Sequence, residues 1–296
     1  MTLPLLQAPL LSARGVGFAI DGRSVLDGID LDIDRGQLVA LIGPNGAGKS
    51  TLLHLLAGDS RADSGVIELD GRALHGHRAG DLARRRAVLT QSNDISFPFT
   101  VTEVVEMGRA PWQGVTDSDH DDRLVARALH DAELHHLAER RMPELSGGER
   151  ARSAYARVRA QESELILLDE PTASLDIRHQ ERVLSQLRGH ARAGGTAIVV
   201  LHDLNLAAAY ADRIVLLAGG RIRADGTPVI ALDAALLSEV YRHPIGVDRL
   251  GTGELFVHPL RGGAAPSGAT RPDATEPDTH ASDTHATERE PRHVPA

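Results

Sequence analysis

Residues 43–51 read "GPNGAGKST", and this stretch decides the fold. It follows "QLVALIG", a continuous apolar run that reads as a buried strand, and leads into "KSTLLHLLAG", which reads as a helix stopped by Gly58. A glycine-rich loop between strand and helix lets several backbone N–H groups turn inward onto a phosphate, and the helix adds its positive N-terminal end. On this reading Gly43, Pro44, Asn45, Gly46, Ala47, Gly48, Lys49, Ser50 and Thr51 form the cradle for ATP. Lys49 reaches the β and γ phosphates and the Ser50 hydroxyl holds Mg²⁺. The 32 basic residues include a single lysine, and it is Lys49.

The second half of such a site lies in "ELILLDE", residues 164–170. Four apolar residues bury a strand that ends in paired carboxylates. Asp169 is placed to join the Mg²⁺ shell, and Glu170 to orient and deprotonate water for in-line attack on the γ-phosphate.

Outward from these motifs the chain reads as α/β. Residues 12–40 alternate in short stretches with Asp-Gly pairs, which predicts antiparallel hairpins with turns at those pairs. Residues 100–160 lean helical. From "LILLDE" onward strands and helices alternate, which predicts a mostly parallel sheet covered on both faces, with the helical middle as an insertion. From Gly262 the text turns to Pro, Ala, Thr, Asp and Glu with no Leu, Ile or aromatic residue, and reads as a disordered tail. The tail carries "DTHA" twice, at His280 and His285. The expected organisation is a catalytic domain over 12–261, its helical insertion at about 95–160, and a tail over 262–296.

Composition narrows the function classes. Apolar residues make up 42% and charged residues 25%, a globular profile, and the net charge of −9 argues against nucleic-acid binding. There is no cysteine, so disulfides and thiolate metal sites are excluded. No apolar run approaches the roughly 18 residues of a membrane span. The N-terminal "LPLLQAPLL" is broken by Pro4 and Pro9 and has no basic residue before it, so it does not read as a secretory signal. The expected location is cytoplasmic.

Between the two phosphate motifs stands "LSGGER", residues 145–150, and with it the chain resembles the ATP-binding cassette ATPases, whose defining signature is LSGGQ or LSGGE. The other cassette motifs follow. Gln91 in "VLTQS" resembles the Q-loop glutamine of the Mg²⁺ shell, Asp176 in "PTASLD" the D-loop aspartate, and His202 closing "AIVVLH" the switch histidine that contacts the γ-phosphate and fixes Glu170. The resemblance spans roughly residues 12–260. It implies a P-loop NTPase fold with a RecA-like core, an N-terminal antiparallel β part and an inserted helical subdomain. It also implies a homodimer paired head to tail, in which Ser146, Gly147, Gly148 and Glu149 cap the ATP held by the other copy. "SGGE" opens a helix, so its N–H groups make a second anion site.

Two positions depart from the family. An aromatic residue usually stacks on adenine near the cassette's start; spacing from "SVLDGIDL" puts Ile20 there, with Phe18 two residues earlier. In "ARVRAQ", Arg159 stands where the family more often has an apolar residue, and the helical wheel sets it beside Arg152 at the edge of the stripe formed by Ala151, Ala154, Tyr155 and Val158.

With one cassette and no coiled-coil insertion, the chain resembles the stand-alone ATPase of a bacterial importer, peripheral on the inner face of the membrane and paired with two permease subunits. A periplasmic substrate-binding protein would act through those subunits. The segment "DISFPFTVTEVVEMGRAPW", residues 94–112, holds two of the four Phe and the one Trp, and in such importers it lies in the region that receives the permease. Phe97, Phe99, Val101 and Trp112 are the expected anchors, with Pro98 and Pro111 holding the shape. This wording, with "HDLNLAAAYADRIVLLAGGRI", is similar to the importer ATPases for iron-siderophores, cobalamin and haem, and closest to the hemin branch. Siderophore or cobalamin import, a non-transport regulatory or repair ATPase, and a metal- or haem-binding module acting through the His-bearing tail are the competing readings.

Overall fold

The computed structural model describes residues 8–90 and 98–261; Gln91, Phe97, His280 and His285 lie outside the described residues. Contacts divide the chain into Met1–Leu260 and Arg261–Ala296, and the fold below is that of the first unit.

β1 (Leu11–Ile20) and β2 (Arg23–Ile33) form an antiparallel hairpin. Its turn is Asp21–Gly22, with φ of 49° and 77°, the hand that matches the twist of the strands. The second Asp-Gly pair does not make a turn. Pairing runs from Leu26 opposite Phe18 to Ile29 opposite Val16, so β2 carries one extra residue there and Asp27–Gly28 is a bulge inside the strand.

Next come β3 (Leu38–Ile42), α1 (Lys49–Ala57), β4 (Ser64–Leu69), β5 (Arg72–Ala73), α2 (Ala79–Arg85) and β6 (Arg86–Leu89). The helical insertion holds α3 (Val101–Glu106), a 3₁₀ segment (Met107–Trp112), α4 (Ser118–Asp131) and α5 (Gly147–Ala160). The remainder is β7 (Leu165–Asp169), α6 (Ile177–Arg192), β8 (Thr196–Val200), α7 (Leu204–Tyr210), β9 (Arg213–Ala218), β10 (Arg221–Gly226), α8 (Pro228–Ala231), α9 (Ala234–Tyr241), β11 (Ile245–Arg249) and β12 (Leu255–Pro259).

The central sheet runs β10-β9-β3-β8-β7-β6, parallel except for β10 against β9. β3 shows why it is central, since all five residues are buried and they alternate between two cores. Leu38, Ala40 and Ile42 pack with Leu184 and Leu187 of α6, while Val39 and Leu41 pack with Leu52 and Leu55 of α1 and with the antiparallel sheet β2-β1-β4-β5. Each such Leu or Ile contributes about 1.5–3 kcal/mol. The insertion buries a third core of its own around Val101, Val104, Val105, Leu129 and Leu134. The expected P-loop NTPase architecture, with an antiparallel β part and an inserted helical part, is the one observed. The sequence run 121–140 is not one helix: α4 ends at Asp131, Glu133 takes φ 55°, and a 3₁₀ turn follows at His135–Leu137.

Because β3, β8 and β7 are parallel neighbours, their carboxyl ends lie side by side. Ligands of open α/β sheets bind at such an edge.

Candidate active site

The loop after β3 starts in close contact with β9. A Cβ on Gly43, at φ 144°, would stand 2.1 Å from the Leu217 carbonyl oxygen, so no other residue fits against β9. Lys49 is 6% exposed, and its Nζ donates to the carbonyls of Gly43 at 2.8 Å and Pro44 at 3.0 Å. Burial lowers its pKa, with the carboxylates of Glu170 and Asp169 pulling the other way. The N-cap of α1 is Gly48, no side chain caps the helix, and no acidic residue sits in its first turn. The donors of that turn are left facing the loop.

β7 delivers Asp169 and Glu170 to the same edge. Asp169 is 2% exposed, and neither carboxylate oxygen makes a well-formed hydrogen bond among the described residues. Burial pushes its pKa up, partly offset by the Ser50 hydroxyl. A buried, unpaired carboxylate beside a hydroxyl is a donor set that fits a divalent cation. Glu170 has φ 51°, a left-handed conformation that an L-residue before proline adopts at a cost of about 1–3 kcal/mol. There its Oε1 meets His202 Nε2 at 2.5 Å. His202 stands two residues beyond β8. A cleft of ≈ 450 Å³ is lined by Asn45, Gly46, Ala47, Gly48, Lys49, Ser50, Thr51, Glu170 and His202, together with Val25.

The signature residues lie elsewhere. Ser146 is the N-cap of α5: its hydroxyl accepts from Glu149 N–H at 3.3 Å, and Glu149 Oε2 accepts from Ser146 N–H at 2.7 Å. These bonds hold the Glu149 carboxyl below its ordinary value. None of residues 146–149 lines the P-loop cleft, and Gly147 borders a second cavity of ≈ 330 Å³ together with Asp169 and Glu170. Asp176 caps α6, accepting from His179 N–H at 2.9 Å and bonding the His179 ring at 2.8 Å.

Some expected contacts are not brought together. Phe18 packs half-buried on the core and Ile20 is 51% exposed at the end of β1, and neither lines the cleft. Val25, across the hairpin, does. The alternating pattern of "SVLDGIDL" held that information, but the bulge at Asp27–Gly28 conceals the phase. Among the expected surface anchors that fall within the described residues, only Phe99 is exposed, at 37%. Val101 is fully buried, which corrects its assignment to the surface: it follows the capping box Thr100–Glu103 and shares one helix face with Val104 and Val105. Trp112 is half-buried, its indole N–H donating to Gln161 O at 2.7 Å under the Arg109 guanidinium. A Cβ on Gly108 would lie 2.2 Å from Arg157 O, so this 3₁₀ segment is pressed against α5. The residues missed at this surface are Met107 and Val115, 38% and 59% exposed.

A family model described as ABC transporter matches residues 26–173. A hemin import ATP-binding protein of Streptomyces coelicolor is 53% identical over 86% of this chain and 88% of its own length. The chain belongs to the ABC transporter family. A second hemin import ATP-binding protein, from Nocardia farcinica, is 51% identical to this cassette over 85% of the chain and 89% of the relative. A solved transporter described as of the metal-chelate type, inward-facing, superimposes with TM-score 0.71 at 30% identity, covering 85% of this chain and 98% of that one. A dimeric bacterial ABC transporter cassette gives TM-score 0.67 at 26% identity, covering 74% and 98%. The cassette is thus an ATPase of the transport family, and no helix among its described residues is long and apolar enough to cross a membrane.

Proposed function

We propose that this cassette hydrolyses ATP to drive haem import, as two identical copies seated on two permease subunits at the inner face of the membrane. A periplasmic binding protein would deliver the cargo to those subunits. The observation that carries the reading is the identity of 53% and 51% to hemin import ATP-binding proteins over most of both chains. Iron-siderophore or cobalamin import is the second reading, favoured by the neighbour described as of the metal-chelate type.

In this reading the backbone N–H groups of residues 45–51 and the Lys49 ammonium bind the β and γ phosphates. Ser50 and Asp169, with Gln91, would hold Mg²⁺, which would supply Lewis-acid stabilisation of negative charge on the phosphate oxygens. Glu170 takes the proton of the attacking water, and His202 fixes its carboxylate through the 2.5 Å contact. Val25 offers aliphatic surface to the base. Gly147 and Gly148 present N–H groups to the nucleotide of the other copy, while Ser146 and Glu149 keep their helix start folded and Asp176 holds the neighbouring loop. Phe99, Met107 and Val115, with Phe97, offer the apolar surface for the permease. Residues 12–261 form the working unit and 262–296 an accessory tail.

The test is to purify the cassette with its permease and measure ATPase rate as binding proteins loaded with haem, ferric siderophore or cobalamin are added. Stimulation by the haem-loaded protein alone is expected, and stimulation by a siderophore-loaded protein alone would overturn the cargo.

A further inference from the structure

Arg159, the departure from the family pattern noted above, lines a cavity of ≈ 610 Å³ on the side of the sheet away from the nucleotide loop. The walls come from α4 (Leu124, Arg127), α5 (Arg159), the connection before β7 (Ser163) and the end of α6 (His190). The cavity is therefore a joint between the helical insertion and the α/β core.

Its charges are unequally matched. Glu164 is paired with Arg35 at 3.2 Å and Arg85 at 3.1 Å. Glu162 is paired with His120 at 3.2 Å, and Asp131 with Arg127 at 3.7 Å. Each carboxylate on the wall thus already has a basic neighbour, Glu162 also standing 4.0 Å from the Arg109 guanidinium. Arg159 has no hydrogen-bond or ion-pair partner among the described residues, although it is only partly exposed. Ser163 is 4% exposed, and its hydroxyl oxygen is buried without a hydrogen-bond partner. His190 faces Arg159 and is held against its own chain, with Nε2 3.1 Å from the Glu164 carbonyl. Burial and the Arg159 charge lower its pKa, so the ring adds no positive charge that would substitute for Arg159. The rest of the wall is aliphatic: Leu124, Ala128, Ile166 and Ala193.

A partly buried guanidinium without an anion is unfavourable unless something supplies one, and its planar fork suits an oxyanion held by two hydrogen bonds. We propose that this cavity is a binding site for a small organic oxyanion, a carboxylate or phosphate ester with a short aliphatic body. Arg159 holds its charged end and the aliphatic wall holds the remainder. The site bridges the insertion and the core, so an occupant ties together the two parts that carry the expected permease surface and the nucleotide loop.

The experiment is titration of the full chain, saturated with ADP so that the P-loop is filled, with succinate and separately with glycerol 3-phosphate, at fixed ionic strength and followed by calorimetry. At least one probe is expected to bind saturably, with affinity falling about tenfold or more in Arg159→Leu, the loss of one charge-assisted fork. Arg159→Leu restores the residue type usual in the family and should melt and bind ADP as the parent does. The arm that binds tells carboxylate from phosphate ester. Failure of both probes to bind, or equal binding to Arg159→Leu, would overturn the site. Neither result depends on the cargo or on the permease.

Discussion

Two helices in this cassette start at glycine-rich loops, and they start differently. α1 begins at Gly48 with no side-chain cap and no acidic residue in its first turn. α5 begins at Ser146 with a complete capping box closed by Glu149. The first end leaves its donors and its positive pole unmatched, a state that an anion stabilises. The second satisfies two of its donors internally and carries its own negative charge. It needs no ligand to fold, yet keeps Gly147 free to approach one: a Cβ there would meet nothing within 4 Å. In the proposed reading the first end holds phosphate in reach, and the second meets a phosphate brought by another copy.

The largest expected effect falls on catalysis at the first end. Glu170→Gln should bind ATP and lower kcat by about 10²–10⁴, measured by steady-state hydrolysis, because a general base contributes on that order. Turnover at the wild-type rate would remove Glu170 from that role. Next, Lys49→Ala should weaken ATP binding by about two orders of magnitude in an equilibrium titration, since a buried charged donor is lost. If the affinity is unchanged, the contrast between the two helix starts is wrong. At the second end the effect is on folding. Ser146→Ala should cost about 1 kcal/mol, or roughly 2–4 °C in melting temperature for a chain of this size, without nucleotide present.

The pH dependence of that cap has a definite sign. Glu149 is held below its ordinary value of 4.5 by bonds from Ser146. Its contribution is therefore present above that value and lost as pH falls through the lowered pKa. The melting difference between wild type and Glu149→Gln should be present at pH 7 and shrink as pH drops below 4.5 and through the lowered pKa. Smallest of all, ending the chain after Arg261 should leave ATPase activity unchanged; loss of activity would give the tail a role in the engine.

The placement of the P-loop, Asp169 and Glu170 at one sheet edge was legible in the sequence because each stands within a few residues of a strand end, where local pattern settles position, while His202 was singled out by the family resemblance. The surface of the insertion was read less well, because exposure there depends on helix phase and on packing between elements far apart in sequence. Val101 carries a signal that could have located it, the Thr100–Glu103 box that starts α3 and sends Val101, Val104 and Val105 inward. Trp112 had no such local signal, since its partner is the carbonyl of Gln161, 49 residues away. Val25 was hidden by a bulge, and the cavity beside Arg159 exists only once four segments meet.

The central claim is that each ATP is hydrolysed between the loop of one copy and the signature helix of another. Gly147→Asp places a carboxylate at the exposed start of α5, where it suits its own helix and repels a phosphate arriving from outside. Lys49→Ala disables the loop instead. Each variant alone should be inactive in ATP hydrolysis, and mixing the two should restore turnover, because a mixed pair contains one intact loop facing one intact signature. Activity that stays absent in the mixture, while both proteins remain folded and paired, would contradict the shared site.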